Sequence, residues 1–131
     1  MEPLGAVLAF CVPMSEGAPA PRDVVAAYIE AHNRQDIAAV ARLIAANARF
    51  GISDEIDSGE VVVGRYRDIV YKNFPKAHTE PLDQLTYGDM VAQTERVTGI
   101  GPDGEIGMTV YRVVRGCIID LTISHSPDGE D

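Results

Sequence analysis

The chain has 131 residues, 46% of them apolar, with a formal net charge of −9 and a pI near 4.6. That length makes one domain with a real core, and no apolar run is long enough to span a bilayer. The acidic balance argues against nucleic acid and anionic membranes as partners, since both need basic surface. With no Trp and 6% aromatic residues, a base-stacking platform is not expected.

In chain order, residues 1–21 read as a flexible leader, the second half of it a Pro/Gly/Ala linker. Leu4 to Val12 is apolar and Ala18-Pro19-Ala20 resembles a cleavage site. However, Glu2 stands without any Lys or Arg, and Pro21 would follow the cut. The expectation is a cytoplasmic protein, with export the minor alternative. Cys11 falls in the leader and Cys117 in a predicted strand, which is no disulfide framework. His32, His78 and His125 are scattered without metal-ligand spacing, so neither a metal nor another cofactor is expected.

The spacing of Val25, Tyr28, Ile29 and His32 predicts a helix over residues 22–34. Asp36 is an N-cap for a second helix over 37–46, with Ile37, Val40, Ala41 and Ile44 as its buried face. A short strand over 48–52, an acidic loop and a second strand over 60–63 follow. Helix 3 then covers 65–73 and is ended by Phe74-Pro75. Strands are predicted at 77–87, 90–99, 105–115 and 117–124, with turns at Tyr87-Gly88-Asp89, Gly101 to Gly104 and Arg115-Gly116. Such short connections make an antiparallel meander. Residues 126–131 form a polar tail. Helices followed by a curved antiparallel sheet give an α+β cone of three helices and one sheet, covering 22–125, whose mouth suits a small molecule.

Two of these strands place a charge, Arg96 and Asp120, among β-branched residues. An isolated charge on a half-buried sheet calls for a partner, so the two are expected to pair, as a reaction centre or as a structural ion pair.

The element order resembles the nuclear-transport-factor-2-like superfamily. Its local marks are Tyr28-Ile29-Glu30-Ala31-His32-Asn33-Arg34-Gln35-Asp36, Ala48-Arg49-Phe50, Val62-Val63-Gly64-Arg65 and Thr94-Glu95-Arg96-Val97. That cone fold includes ketosteroid isomerases, SnoaL-like polyketide cyclases and limonene-1,2-epoxide hydrolases. By resemblance to the hydrolases, Arg96 matches the site arginine and Asp120 the water-activating carboxylate. Thr98 stands where that family has its acid, and Phe50 and Ile52 where it has a tyrosine and an asparagine. By resemblance to the isomerases, Tyr28 matches the enolate-stabilising tyrosine. Their base falls at Ile52 and their protonated acid near Thr109, which leaves Asp54, two residues along, as the substitute base.

On the last strand Cys117, Ile119, Leu121 and Ile123 point one way, and Ile118, Asp120, Thr122 and Ser124 the other. Periodicity alone turns the apolar set inward. The family fold implies the reverse, with Asp120 and Thr122 lining the cone and the apolar row packed on a second subunit, hence a homodimer. The expected catalytic group is Asp120 as base, Arg96 as its orienter, and Tyr28 or His78 as proton donor. Phe50, Ile52, Asp54, Tyr66, Glu80, Thr98, Thr109, Tyr111 and Thr122 are the expected substrate-binding residues. The function so implied is cofactor-free acid–base chemistry of the isomerase, cyclase or epoxide hydrolase type on a small apolar molecule. The alternative is a non-catalytic ligand-binding or dimerisation module.

Overall fold

The structure, a computed structural model, describes residues 8–52, 54–101 and 104–125. The first seven residues of the leader, Ser53, the Pro102-Asp103 turn and the 126–131 tail lie outside the described residues.

Helix α1 (Pro21–Asn33) begins with proline at its first turn, where the missing N–H costs nothing, and buries Val24, Val25, Tyr28, Ile29 and Ala31. The chain turns at Gln35, whose φ of 55° is left-handed. Asp36 then caps α2 (Ile37–Ala41) by accepting the Ala39 N–H at 3.2 Å. α2 is shorter than the 37–46 expected. Ile44 is fully buried and pairs with Ile118, so the chain leaves the helix for strand β1 (Ile44–Ile52). An apolar run this short fits either period, and sheet pairing decides it.

Strand β2 (Glu55–Ser58) forms a hairpin with β1. The strand expected at 60–63 is instead helix α3 (Gly59–Arg65). Ser58 Oγ accepts the Val61 N–H at 3.2 Å, and Val62 and Val63 are buried, so cap and packing override the strand preference of a valine run. Gly59 is required there, because a Cβ would stand 2.5 Å from the Ala45 carbonyl oxygen and 2.7 Å from Ile44 Cγ2. The helix continues through a π-helical segment (Tyr66–Val70) into a closing turn (Tyr71–Asn73).

The remaining strands are β3 (His78–Tyr87), β4 (Met90–Thr98), β5 (Glu105–Val114) and β6 (Cys117–His125), the meander expected. One sheet of six strands results, in the order β2-β1-β6-β5-β4-β3. β1 and β6 run parallel and the other neighbours antiparallel. Register shifts between Pro81 and Gln84 and between Arg112 and Val113 mark bulges, which bend a sheet. α1 packs across β3, β4, β5 and β6. The core between them includes Val25, Ile29, Val40, Ile44, Phe50, Val63, Val91, Ile118 and Leu121. The class is α+β, with three helices on one sheet, as read from the sequence.

The leader departs from expectation over its described part. Cys11 and Cys117 form a disulfide with Cα atoms 5.7 Å apart. The Cys11 N–H donates to Ile44 O and the Met14 N–H to Arg115 O, each at 2.9 Å. Leu8 and Phe10 pack against the core. A strap from the leader is therefore stitched beside the start of β6, a closeness that a separation of 106 residues gives no means of foreseeing.

Candidate functional site

The site begins with the pleat of β4. Val91, Gln93 and Glu95 are buried while Ala92, Thr94 and Arg96 are only partly so. The inward set faces α1 and the π-helical segment, and β5 answers with Gly107, Thr109 and Tyr111 on the same side. Between sheet and helices lies a cavity of about 250 Å³. Ile29, Ile52, Val70, Val97, Ile100, Leu121 and Ile123 supply its apolar wall.

Its most constrained polar group is Glu95, 7% exposed. Glu95 Oε1 accepts from Thr109 Oγ1 at 2.8 Å, and Oε2 accepts from Gln93 Nε2 at 2.8 Å and from the Tyr111 hydroxyl. Gln84 Nε2 donates to Gln93 Oε1 at 2.9 Å, which fixes the Gln93 amide with its NH₂ toward Glu95. Burial pushes the Tyr111 hydroxyl well above the usual tyrosine range, and the adjacent Glu95 charge pushes the same way.

A second polar group comes from the helices. The Tyr28 and Tyr66 hydroxyls share a hydrogen bond at 3.0 Å. Burial raises both above the ordinary phenol value, so both remain protonated at neutral pH. His32 Nδ1 lies 2.6 Å from the Tyr71 hydroxyl. Burial lowers the His32 imidazole to about 4, so it is neutral at pH 7. The π-helical segment explains why Tyr66 and Tyr71 both line the cavity. Residues five apart on an α-helix point about 140° away from each other. Here the Tyr71 N–H bonds Tyr66 O, five residues back, and the two rings stack with centroids 6.0 Å apart. At the far end of α1, Asn33 Nδ2 donates to Thr79 O and Asn33 Oδ1 accepts from the Thr79 N–H, both at 2.8 Å, fastening β3 to the helix.

The residues named from sequence divide into two groups. Tyr28, His78, Ile52, Tyr66, Thr109 and Tyr111 line the cavity. Arg96 and Asp120 do not meet. Arg96 lies on the outer face and reaches Glu80 at 3.4 Å, while Asp120 is paired with Arg49 at 3.6 Å. Arg96, Glu80 and Thr98 belong to the outward set of the β3–β4 pair. Thr122, which donates to Asp120 at 3.4 Å, sits outside with it. Phe50 is core, 1% exposed, and Asp54 is exposed on the β1–β2 turn. On β6, Leu121 and Ile123 point into the cavity as periodicity alone reads them, while the register shift opposite Arg112 and Val113 brings Ile118, read on the Asp120 side, into the core and leaves Ile119 only partly buried.

Glu95, His32 and Tyr71 were not among the expected site residues. The available signal was the alternation Val91-x-Gln93-x-Glu95-x-Val97, in which apolar ends mark the inner face. Among the described residues no group of three His, Cys, Asp or Glu is placed to hold a metal ion. Among the described residues no helix is long and apolar enough to cross a membrane.

No protein-family model matches the sequence, and no curated protein matches it. Solved structures do. An NTF2-like protein of unknown function from Cytophaga hutchinsonii superposes with a TM-score of 0.72 at 18% identity, over 88% of this chain and 97% of that one. IdmH from Streptomyces antibioticus, a candidate polyketide cyclase, gives 0.69 at 21% identity, over 79% and 89%. A candidate ketosteroid isomerase from Kribbella flavida gives 0.70 at 18% identity, over 81% and 77%. At such identities the likeness is one of fold. The chain has the cone fold of the nuclear-transport-factor-2-like superfamily.

Proposed function

We propose that the protein is a cofactor-independent enzyme that moves a proton on a small, mostly apolar molecule held in the cone. The observation that carries this reading is Glu95, a buried carboxylate on the wall of an otherwise largely apolar cavity, with two protonated tyrosine hydroxyls, Tyr28 and Tyr66, among its other polar groups. In this scheme Glu95 takes a proton from carbon or water. One hydroxyl of the Tyr28–Tyr66 pair donates to the oxygen where negative charge develops, and the other donates to that hydroxyl. Gln93, Thr109 and Tyr111 position the carboxylate. The volume of about 250 Å³ lies just below the ~300–1,000 Å³ of sites for drug-sized ligands, so the substrate is small. That proteins of the same fold carry the names polyketide cyclase and ketosteroid isomerase, as candidates, supports the class of chemistry.

The direct test is exchange of carbon-bound hydrogen for deuterium in a panel of small cyclic ketones, followed by NMR. The wild type is expected to accelerate exchange of at least one, and Glu95→Gln to lose it. Binding of panel members with exchange no faster than in buffer would refute catalysis. It would support the second reading, a binding module, which one observation favours: both Glu95 oxygens are already engaged by three donors.

The partner proposed is a second copy of the chain. The outer face of the sheet exposes Leu85, Tyr87, Met90, Ile106 and Met108, a different row from the one first expected at the interface. Light scattering should give twice the chain mass, and Met108→Glu should halve it. As to location, the disulfide favours an oxidising compartment over the cytoplasm. Thiol alkylation of freshly lysed cells tests this, and two free thiols would support the cytoplasm.

A further inference from the structure

We propose that the ligand of this cavity carries a cationic amine, a quaternary ammonium or a protonated tertiary amine on a small apolar frame. The inference rests on the reading of the cavity as a small-molecule site and adds the charge of what enters it.

Three independent features point the same way. First, the Glu95 carboxylate is buried on the cavity wall, and among the described residues no Lys, Arg or His forms an ion pair with it. Three neutral donors supply dipoles but no opposite charge. Hydrogen bonds let the carboxylate tolerate burial, and a cation beside it would add the opposite charge that they lack. Second, among the described residues no Lys or Arg lines the cavity. An anionic ligand would meet the Glu95 carboxylate and neither a lysine nor an arginine. Third, the polar end of the cavity is a cluster of rings. The His32 centroid lies 4.5 Å from that of Tyr66, 5.6 Å from Tyr71 and 5.6 Å from Tyr28, and Tyr28 lies 5.9 Å from Tyr111. Electron-rich ring faces attract a desolvated ammonium, and quaternary amines are the ligands such clusters recognise. The neutral His32 adds no repelling charge near pH 7. Beyond the site, a formal net charge of −9 draws cations toward the protein.

The experiment compares three probes of one shape on the full-length protein, by titration calorimetry or NMR in low-salt buffer. These are choline, its neutral carbon analogue 3,3-dimethylbutanol, and the anion 3,3-dimethylbutanoate. Choline is expected to bind at least about ten-fold more tightly than the alcohol, which is ~1.4 kcal/mol, and the anion not at all. Glu95→Gln should bring choline down to the affinity of the alcohol. Tyr71→Leu, which removes a ring and leaves the carboxylate, should shrink the same ratio and serves if Glu95→Gln fails to fold. An alcohol that binds as tightly as choline overturns the inference and leaves the cavity reading standing. A ratio unmoved in both folded variants also overturns it. If none of the three binds at millimolar concentration, the inference and the cavity reading fall together.

Discussion

Replacing Glu95 by Gln and by Ala separates its chemical role from its structural one. In Glu95→Gln the amide oxygen can take the Oε2 position and keep the bonds from Gln93 and Tyr111. The new NH₂ then faces Thr109 Oγ1, a hydroxyl that can reverse from donor to acceptor. Three charge-assisted bonds become neutral ones, a loss of roughly 1 kcal/mol each. Relief of the cost of burying a charge offsets part of that loss. The expected net change is within about 2 kcal/mol. In Glu95→Ala the Tyr111, Thr109 and Gln93 donors all lose their acceptor, and each orphaned group costs about 1–3 kcal/mol. Water entering the cavity can satisfy some of them, so about 3 kcal/mol or somewhat more is expected. Urea unfolding of the three proteins measures the difference, with Gln close to wild type and Ala clearly below both. Deuterium exchange on the same samples should show Glu95→Gln slower by roughly 10²–10⁴, the usual worth of a general base. An Ala variant as stable as wild type would refute the hydrogen-bond network. A Gln variant with undiminished exchange would refute Glu95 as the base.

Three further outcomes are expected. The disulfide closes a loop of 106 residues. The chain-entropy relation puts that at about 4–5 kcal/mol, so Cys11→Ser with Cys117→Ala should lower the unfolding free energy by up to that much, and a loss below ~1 kcal/mol would show that the strap does not restrain the chain. His32, lowered to about 4 in the fold against 6.5, contributes stability that is complete above pH 6.5 and is lost as pH falls toward 4. Up to about 3 kcal/mol is involved, less for the part of the ring that stays exposed, and apart from the lost hydrogen bond to Tyr71, His32→Gln should flatten the slope in urea titrations across that window. Asn33→Ala orphans the Thr79 N–H and C=O, and should cost about 2–4 kcal/mol with earlier hydrogen exchange along β3.

Most of the architecture was legible because it rests on signals several residues long. The α1 stripe, the Gly88-Asp89 and Arg115-Gly116 turns and the four-strand meander all stand where periodicity and turn chemistry put them. The failures share one physical character. Ile44 to Ala48 and Val61 to Val63 are apolar runs that fit helix or strand equally, and long-range pairing with β6 in one case and a serine cap in the other decided them. The disulfide and the π-helical segment depend on distant contacts and on a single extra residue in a turn, and neither leaves a local pattern.

The site itself turned on parity. A strand offers its side chains to two faces, and a shift of one residue exchanges them. The conspicuous charge on β4 was Arg96, flanked by Glu95 and Val97, and taking Arg96 as the inward residue sent Thr98 inward and Glu95 out. The structure has the opposite assignment, with Val91, Gln93 and Glu95 buried and the Arg96 set outside. The same inversion affected β6, where Asp120 was drawn inward against its own apolar neighbours. Energetics makes the observed choice the cheaper one. Arg96 and Asp120 each reach an opposite charge on the outer face while remaining partly solvated, so neither pays full desolvation. Glu95 tolerates burial because Gln93 on its own strand and Thr109 and Tyr111 on the next stand within reach as donors. A charge in a strand is therefore better sorted by counting the donors that the neighbouring strand can place on the same face than by the charge itself. By that count β4 had one inward candidate, and it was the glutamate.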